Sequence, residues 1–332
     1  MSTVAGTRST VLTRALKAAR SLPFRVIVTL GLLGVVASNI NWSLVSTRLD
    51  HGHVLDFAAA VALVLCALVL GAWRWALLLR VAQVPLATRA LARIYWVAVF
   101  TNTFLPSSVG GDVTRTLLVA RRPPMLTRAA LTVVADRLGG LVGLLGMAWL
   151  ASAFRVSVVP ARAIVFLAWV TAAVVLGAIF LLVAMFRGSS RARVLVPARF
   201  LSLARELREL VHGYARAPST LLLVVGASLL FQALNSLQLV MLAKAIDVHL
   251  DFATAAVVLA LVTVVTLIPV SIGGFGIREG SYVVLLGGAS IGATDATLIS
   301  LLTVAALFIA SLPGAVMLAH SGLTPAVEGA SP

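Results

Sequence analysis

The chain is 332 residues long, 61% hydrophobic and 11% charged, with a mean hydropathy of +1.07. Soluble domains carry roughly 25% charged residues, so a soluble fold is excluded and an all-α polytopic membrane protein is implied. The net charge of +15 does not indicate nucleic acid, because the arginines cluster between apolar spans instead of interleaving with aromatic residues, and the single cysteine, Cys66, excludes an intrachain disulfide framework and a cysteine-based zinc site.

Residues 1–23 are basic and precede a long apolar segment without a convincing small-residue cleavage site. They predict a cytoplasmic tail followed by a retained anchor. A spanning helix needs about 20 mainly apolar residues, and the segments 24–44, 56–76, 126–153, 161–186, 219–246 and 294–319 qualify. Two further apolar stretches, 93–122 and 252–292, are interrupted by Pro and Gly-Gly. The first contains FLPSSVGGDVTR (104–115), a loop composition at membrane depth. Irregular backbone is tolerated there only when it is buried in protein or lines a watery cavity.

From Arg93 to Pro106 the chain reaches about 20 Å as a helix, enough for mid-bilayer and too little to cross. Charge agrees. If 93–122 doubles back, Arg74, Arg80, Arg89, Arg93, Arg121, Arg122, Arg128 and the arginine-dense loop 187–217 share the cytoplasmic side with the N-terminal tail, leaving Arg48, Arg155, Arg162 and Lys244 outside. A single crossing would turn loop 187–217 outward, against the positive-inside bias. Within that loop, 196–218 has helical periodicity with basic residues and reads as an orientation anchor on the leaflet surface.

PSSVGGDVTR (106–115) aligns without a gap to PVSIGGFGIR (269–278), both P-x-S-[V/I]-G-G-x-x-x-R. Three spans separate the copies, so the second hairpin enters from the opposite face. The predicted architecture is six transmembrane helices plus two inverted-repeat re-entrant hairpins in one domain, 24–320, with 93–153 equivalent to 252–319 and a cytoplasmic tail at 321–332. Two complete spans within 252–292 are the alternative for the second hairpin.

Broken helices meeting at the midplane are a transporter design, with half-helix N-termini facing an anionic group at the repeat interface. In this topology Arg115, Arg278, Arg137, Asp112, Asp136 and Glu279 lie at or near bilayer depth, where ionisable residues are functional-site candidates by default. Asn102, Ser108, Gly110 and Gly111 at the first tip, and Ser271, Gly273 and Gly274 at the second, complete the expected substrate-binding set. Guanidinium is a natural bidentate clamp for phosphate, and the equivalence of Arg115 and Arg278 predicts that they hold it jointly. The competing reading makes them structural ion pairs, Arg115 with Asp112 and Arg278 with Glu279. Asn102 either closes the backbone of the tip or touches substrate. Gln232, Asn235 and Gln238 share one helix face and either line the cavity or bond between helices. The histidines of HGH (51–53) lack a third metal ligand, and GFGIREG lacks the strand of a dinucleotide site.

Three motifs in order, NTFLPSSVGGDVTR (102–115), DRLGGL (136–141) and PVSIGGFGIREG (269–280), resemble the flippase-like family named for the transmembrane region of lysylphosphatidylglycerol synthases, over about residues 20–320. The resemblance implies handling of aminoacylated phospholipids, isoprenoid-linked glycolipids or hopanoid-associated lipids. It places Arg115, Asp136, Arg137, Arg278 and Glu279 in the family's polar motifs. The soluble aminoacyl-transfer domain of the full-length synthases has no counterpart in this sequence. The expectation is therefore a flippase or scramblase of an anionic lipid in the cytoplasmic membrane, not an enzyme, with no cofactor. Without a P-loop, transport is downhill or coupled to protons or ions through Asp112, Asp136 and Glu279. The alternative is a membrane-embedded enzyme or an accessory subunit working with lipid-biosynthesis partner proteins.

Overall fold

The computed structural model describes residues 54–84, 86–104, 110–120, 124–153, 161–187, 198–267 and 274–321, with Ser43 and Ser271. Among them lie ten helices and no strand: α1 (Val54–Val81), α2 (Thr88–Phe104), α3 (Gly110–Val119), α4 (Met125–Ser152), α5 (Ala161–Arg187), α6 (Ala198–Ala215), α7 (Pro218–Lys244), α8 (Phe252–Thr266), α9 (Ile277–Gly287) and α10 (Ala293–Ser321). The terminal tails, the span 24–44, the HGH segment and the tip residues Ser108 and Gly273 lie outside the described residues.

Helices α1, α4, α7 and α10 are long and apolar enough to cross a bilayer. The interrupted stretches behave differently. Helix α2 has 17 residues, α3 10, α8 15 and α9 11. At 1.5 Å per residue each falls short of a hydrocarbon core about 30 Å thick. Each pair folds back on itself. Gly111 on α3 lies against Ala98 and Asn102 of α2, and Leu118 and Val119 rejoin the buried cluster containing Leu91 and Ile94. In the second pair Gly274 lies against Thr266, and Tyr282 and Leu286 pack with Ala255, Val258 and Val262.

Helix α6 marks one face of the molecule. Tyr214 donates its hydroxyl to the Leu78 carbonyl near the end of α1 at 3.3 Å, and Glu206 pairs with Arg128 in the first turn of α4 at 3.0 Å. The chain between α1 and α4 therefore leaves and returns on the same face. Burial pushes the Tyr214 hydroxyl above its ordinary pKa, with the Asp136 carboxylate adding to the effect. Helix α7 runs antiparallel to α1: Lys244 pairs with Asp56 at one end, and Val224 meets Leu78 at the other.

Packing among eight helices is unchanged when α1–α4 are exchanged with α7–α10. Helix α1 packs on α7 at the centre; α2 lies against α10 and α8 against α4; α1 meets α10 and α7 meets α4. The repeat is thus one helix longer than the sequence alignment suggests, starting at α1 and α7. Because α1 and α7 are equivalent and antiparallel, the axis relating the halves is perpendicular to the helices. Glycine allows the closest crossings. A Cβ on Gly111 would collide with the Ala98 carbonyl, one on Gly314 with the Trp96 carbonyl, and one on Gly143 with the Ser228 backbone.

Candidate functional site

Two copies of one motif build different turns at the two tips. Helix α3 begins at Gly110, so Arg115 sits in its second turn, and Thr114 bonds back to the Gly110 carbonyl at 2.8 Å. At the second tip Gly274 and Gly276 have φ of 76° and 82°, and α9 begins only at Ile277. Gly276 aligns with Val113, a β-branched residue for which that left-handed conformation is strongly disfavoured. One substitution between the copies therefore moves the helix start.

Around Arg115 the chain assembles five charged side chains from three helices. Asp136 on α4, 3% exposed, accepts Arg74 Nε of α1 on one oxygen at 2.8 Å and Arg115 Nη1 on the other at 2.9 Å. Asp112 accepts Arg115 Nη2 at 3.1 Å and, in a fork, Arg137 Nε at 2.8 Å and Nη2 at 3.1 Å. Arg74 also donates to Ser228 on α7 at 3.1 Å. The Arg115 guanidinium lies 5.0 Å from the Trp75 ring centroid and 6.0 Å from that of Tyr95, and Trp75 is held by an indole bond to Thr132 at 3.2 Å. Three arginines against two carboxylates leave this group one positive charge in excess.

The excess reaches the surface at Arg137. Its side chain is 56% exposed, near the midpoint of α4, while the rest of the group is largely buried. Val113, Leu117, Val134 and Leu138 on α3 and α4 are exposed around it. The result is a cationic patch in an apolar surface, continuous with the buried charges behind.

The second tip is electrically balanced. Glu279, fully buried, accepts Arg278 Nη2 at 2.7 Å, Arg278 Nε at 3.1 Å and the Ser300 hydroxyl at 3.2 Å on one oxygen, while its other oxygen takes the Gly276 amide. Arg278 stacks on Phe275 at 4.9 Å. Ser271 is buried and its hydroxyl has no hydrogen-bond partner among the described residues.

The structure thus brings Arg115, Arg137, Asp112 and Asp136 together with Gly110, Gly111 and exposed Asn102 beside them. It gathers Arg278, Glu279 and Gly274 at the other tip. Both pairings of the ion-pair reading, Arg115 with Asp112 and Arg278 with Glu279, are present. Arg115 serves Asp112 of its own tip and Asp136 of α4, and Arg278 serves Glu279, so among the described residues the two arginines share no carboxylate. Gln232 bonds the Gly140 carbonyl of α4 at 3.4 Å, and Asn235 the Phe231 carbonyl of its own helix.

Arg74 was missed as a site residue. It reads as a charge at the cytoplasmic boundary because span 56–76 ends beside it, but α1 continues to Val81 and buries it. Its signal was the apolar run Ala76–Leu79 beyond it, which carries the span another turn.

The chain matches the family model described as Lysylphosphatidylglycerol synthase TM region over residues 23–314, and it belongs to that family. No curated protein matches it.

Proposed function

We propose that this member of the family is a flippase or scramblase that carries an anionic lipid between leaflets, with its headgroup passing Arg137 and its acyl chains remaining in the bilayer. The observation that carries the reading is the exposure of Arg137 halfway along a spanning helix. A charged side chain at that depth costs several kcal/mol unless it meets water, protein or a counter-ion. Asp112 is shared between Arg137 and Arg115, which leaves the group one positive charge in excess; a lipid phosphate supplies the balancing charge, and Val113, Leu117, Val134 and Leu138 offer its chains an apolar flank. Asp112 holds Arg137 by two hydrogen bonds, orienting the guanidinium before substrate arrives. Arg115 fixes Asp112, Asp136 ties Arg115 to Arg74, and together the three carry one net positive charge behind it.

The membrane arrangement belonging to this proposal is six spans and two hairpins, with the α6 face and both termini in the cytoplasm and the chain in the cytoplasmic membrane. The charge distribution supports that orientation. Energy coupling, if protons or ions supply it, would use Asp112 or Asp136. Glu279 is the third candidate carrier, and its oxygens accept bonds from Arg278, from Ser300 of α10 and from the Gly276 amide.

The test is translocation of a fluorescent phosphatidylglycerol in vesicles reconstituted with the purified protein. Arg137→Gln is expected to slow translocation by more than tenfold with an unchanged elution profile, and Arg137→Lys to recover part of the rate, since the point charge returns without the fork. If wild-type protein moves no lipid, or Arg137→Gln moves it at the wild-type rate, the transport reading fails and an accessory role in a lipid pathway replaces it.

A further inference from the structure

Away from the charged patch at Arg137, two cavities flank the turn that follows α1. The first, about 480 Å³, lies between α6 and the ends of α1 and α4 and is polar, lined by Gln83, Arg128, Glu206, Glu209, Arg208 and Arg216 among others. The second, about 560 Å³, is mainly apolar, with Ala76, Leu79, Val84, Leu86 and Leu91 in its walls and Arg80 at its edge. Gln83 belongs to both linings, in a left-handed conformation with φ of 57°. A polar chamber and an apolar groove therefore share a wall.

Charge in this region is uneven. Arg128 is paired with Glu206 at 3.0 Å and Glu209 at 3.6 Å, which engages both acids of the polar chamber. Arg216 and Arg80, by contrast, have no carboxylate partner among the described residues. Arg80 lies one residue before the end of α1, about 9 Å along the helix from Arg74. That depth is the boundary between hydrocarbon and headgroups for a helix whose middle crosses the membrane.

We infer that this pair of cavities is a second lipid site, one that seats an anionic phospholipid of the α6-side leaflet with its phosphate at Arg80 beside the shared wall at Gln83, the rest of its headgroup in the chamber with Arg216, and one acyl chain along Leu79, Leu86 and Leu91. The arrangement fits an amphiphile: charge-assisted hydrogen bonds for the phosphate at one end, removal of apolar area from water at the other, and a shared wall at the glycerol level. A free anion would leave the groove unfilled, and a neutral lipid would leave both arginines uncompensated. The inference rests on the membrane placement of α1 and not on transport at Arg137.

Purified full-length protein in a nonionic detergent, titrated with short-chain phosphatidylglycerol and read by native mass spectrometry, tests it. Wild type is expected to retain lipid at both sites. The double variant Arg80→Gln/Arg216→Gln should raise the half-saturating concentration of one bound lipid at least tenfold without altering elution, and Arg80→Lys/Arg216→Lys should restore most of it. Arg137→Gln should leave this lipid bound. Should Arg137→Gln change no lipid binding while the double variant removes one lipid, the transport site fails and this one stands. Equal retention by wild type and the double glutamine variant overturns the second site. So does equal competition by short-chain phosphatidylcholine, or displacement of the lipid by inorganic phosphate at the same concentration, which would make it an unselective annular contact or a free-anion pocket.

Discussion

Replacing Asp136 by Asn keeps the shape of the side chain and removes its charge. In the native molecule one oxygen serves Arg74 and the other Arg115, at 2.8 and 2.9 Å, and the two arginine side chains are only 7% and 6% exposed. The substitution leaves Arg74 with no carboxylate, and its new amide turns donors toward a guanidinium. Breaking a buried pair by removing one partner costs roughly 3–5 kcal/mol. Counting the two lost charge-assisted bonds at roughly 1.5–3 kcal/mol each gives a similar figure. Unfolding in mixed micelles of increasing SDS, followed by tryptophan fluorescence, measures it. The Asn variant should unfold at clearly lower SDS, with a loss of about 3–5 kcal/mol. Adding Arg115→Gln to it should cost less than that change costs alone, because one of the two carboxylates that hold Arg115 is already gone, with Asp112 remaining. An Asn variant within about 0.5 kcal/mol of wild type, or strict additivity in the double variant, would refute Asp136 as the electrostatic keystone of the group.

Gly111→Ala and Gly314→Ala place a methyl against a backbone carbonyl and should each lower stability by about 1–3 kcal/mol; Gly280→Ala, with nothing within 4 Å, should unfold like wild type in the same assay. Asp251 caps α8 by accepting the Thr254 amide at 2.9 Å, so Asp251→Ala should cost about 1 kcal/mol. Burial raises the Asp251 carboxyl pKa but is outweighed by hydrogen bonds from Thr254 and neighbouring amides, which hold it below the usual 3.8. Its contribution is therefore complete above 3.8 and disappears as pH falls through the lower folded value, so wild type and Asp251→Asn should converge in stability toward low pH. For orientation, single cysteines in a Cys66→Ala background should be labelled by an impermeant thiol reagent at 187–217 only after the membrane is opened; labelling there in intact cells would invert the topology.

Hydropathy and charge are local properties, which is why residues 56–76 and 219–246 read as spanning helices, why 93–122 and 252–292 read as broken, and why the matched PxS[V/I]GGxxxR copies expose a repeat in the sequence itself. The family was legible for the same reason. Partner choice is not local. Asp136 and Arg137 are adjacent in sequence, but a helix turns about 100° per residue, so one is buried between two arginines and the other opens at the surface. Arg115 and Arg278 occupy equivalent motif positions, yet one lies in a second helical turn and the other at a helix start, because Gly276 adopts a left-handed backbone that Val113 resists. Arg74 looked like a boundary charge until α1 carried it inward against α4 and α7. Sequence determined the membrane class, the broken helices and the roster of buried charges. Only the tertiary structure decided how they pair, because pairing depends on which helix faces meet across 62 residues in one case and 154 in another.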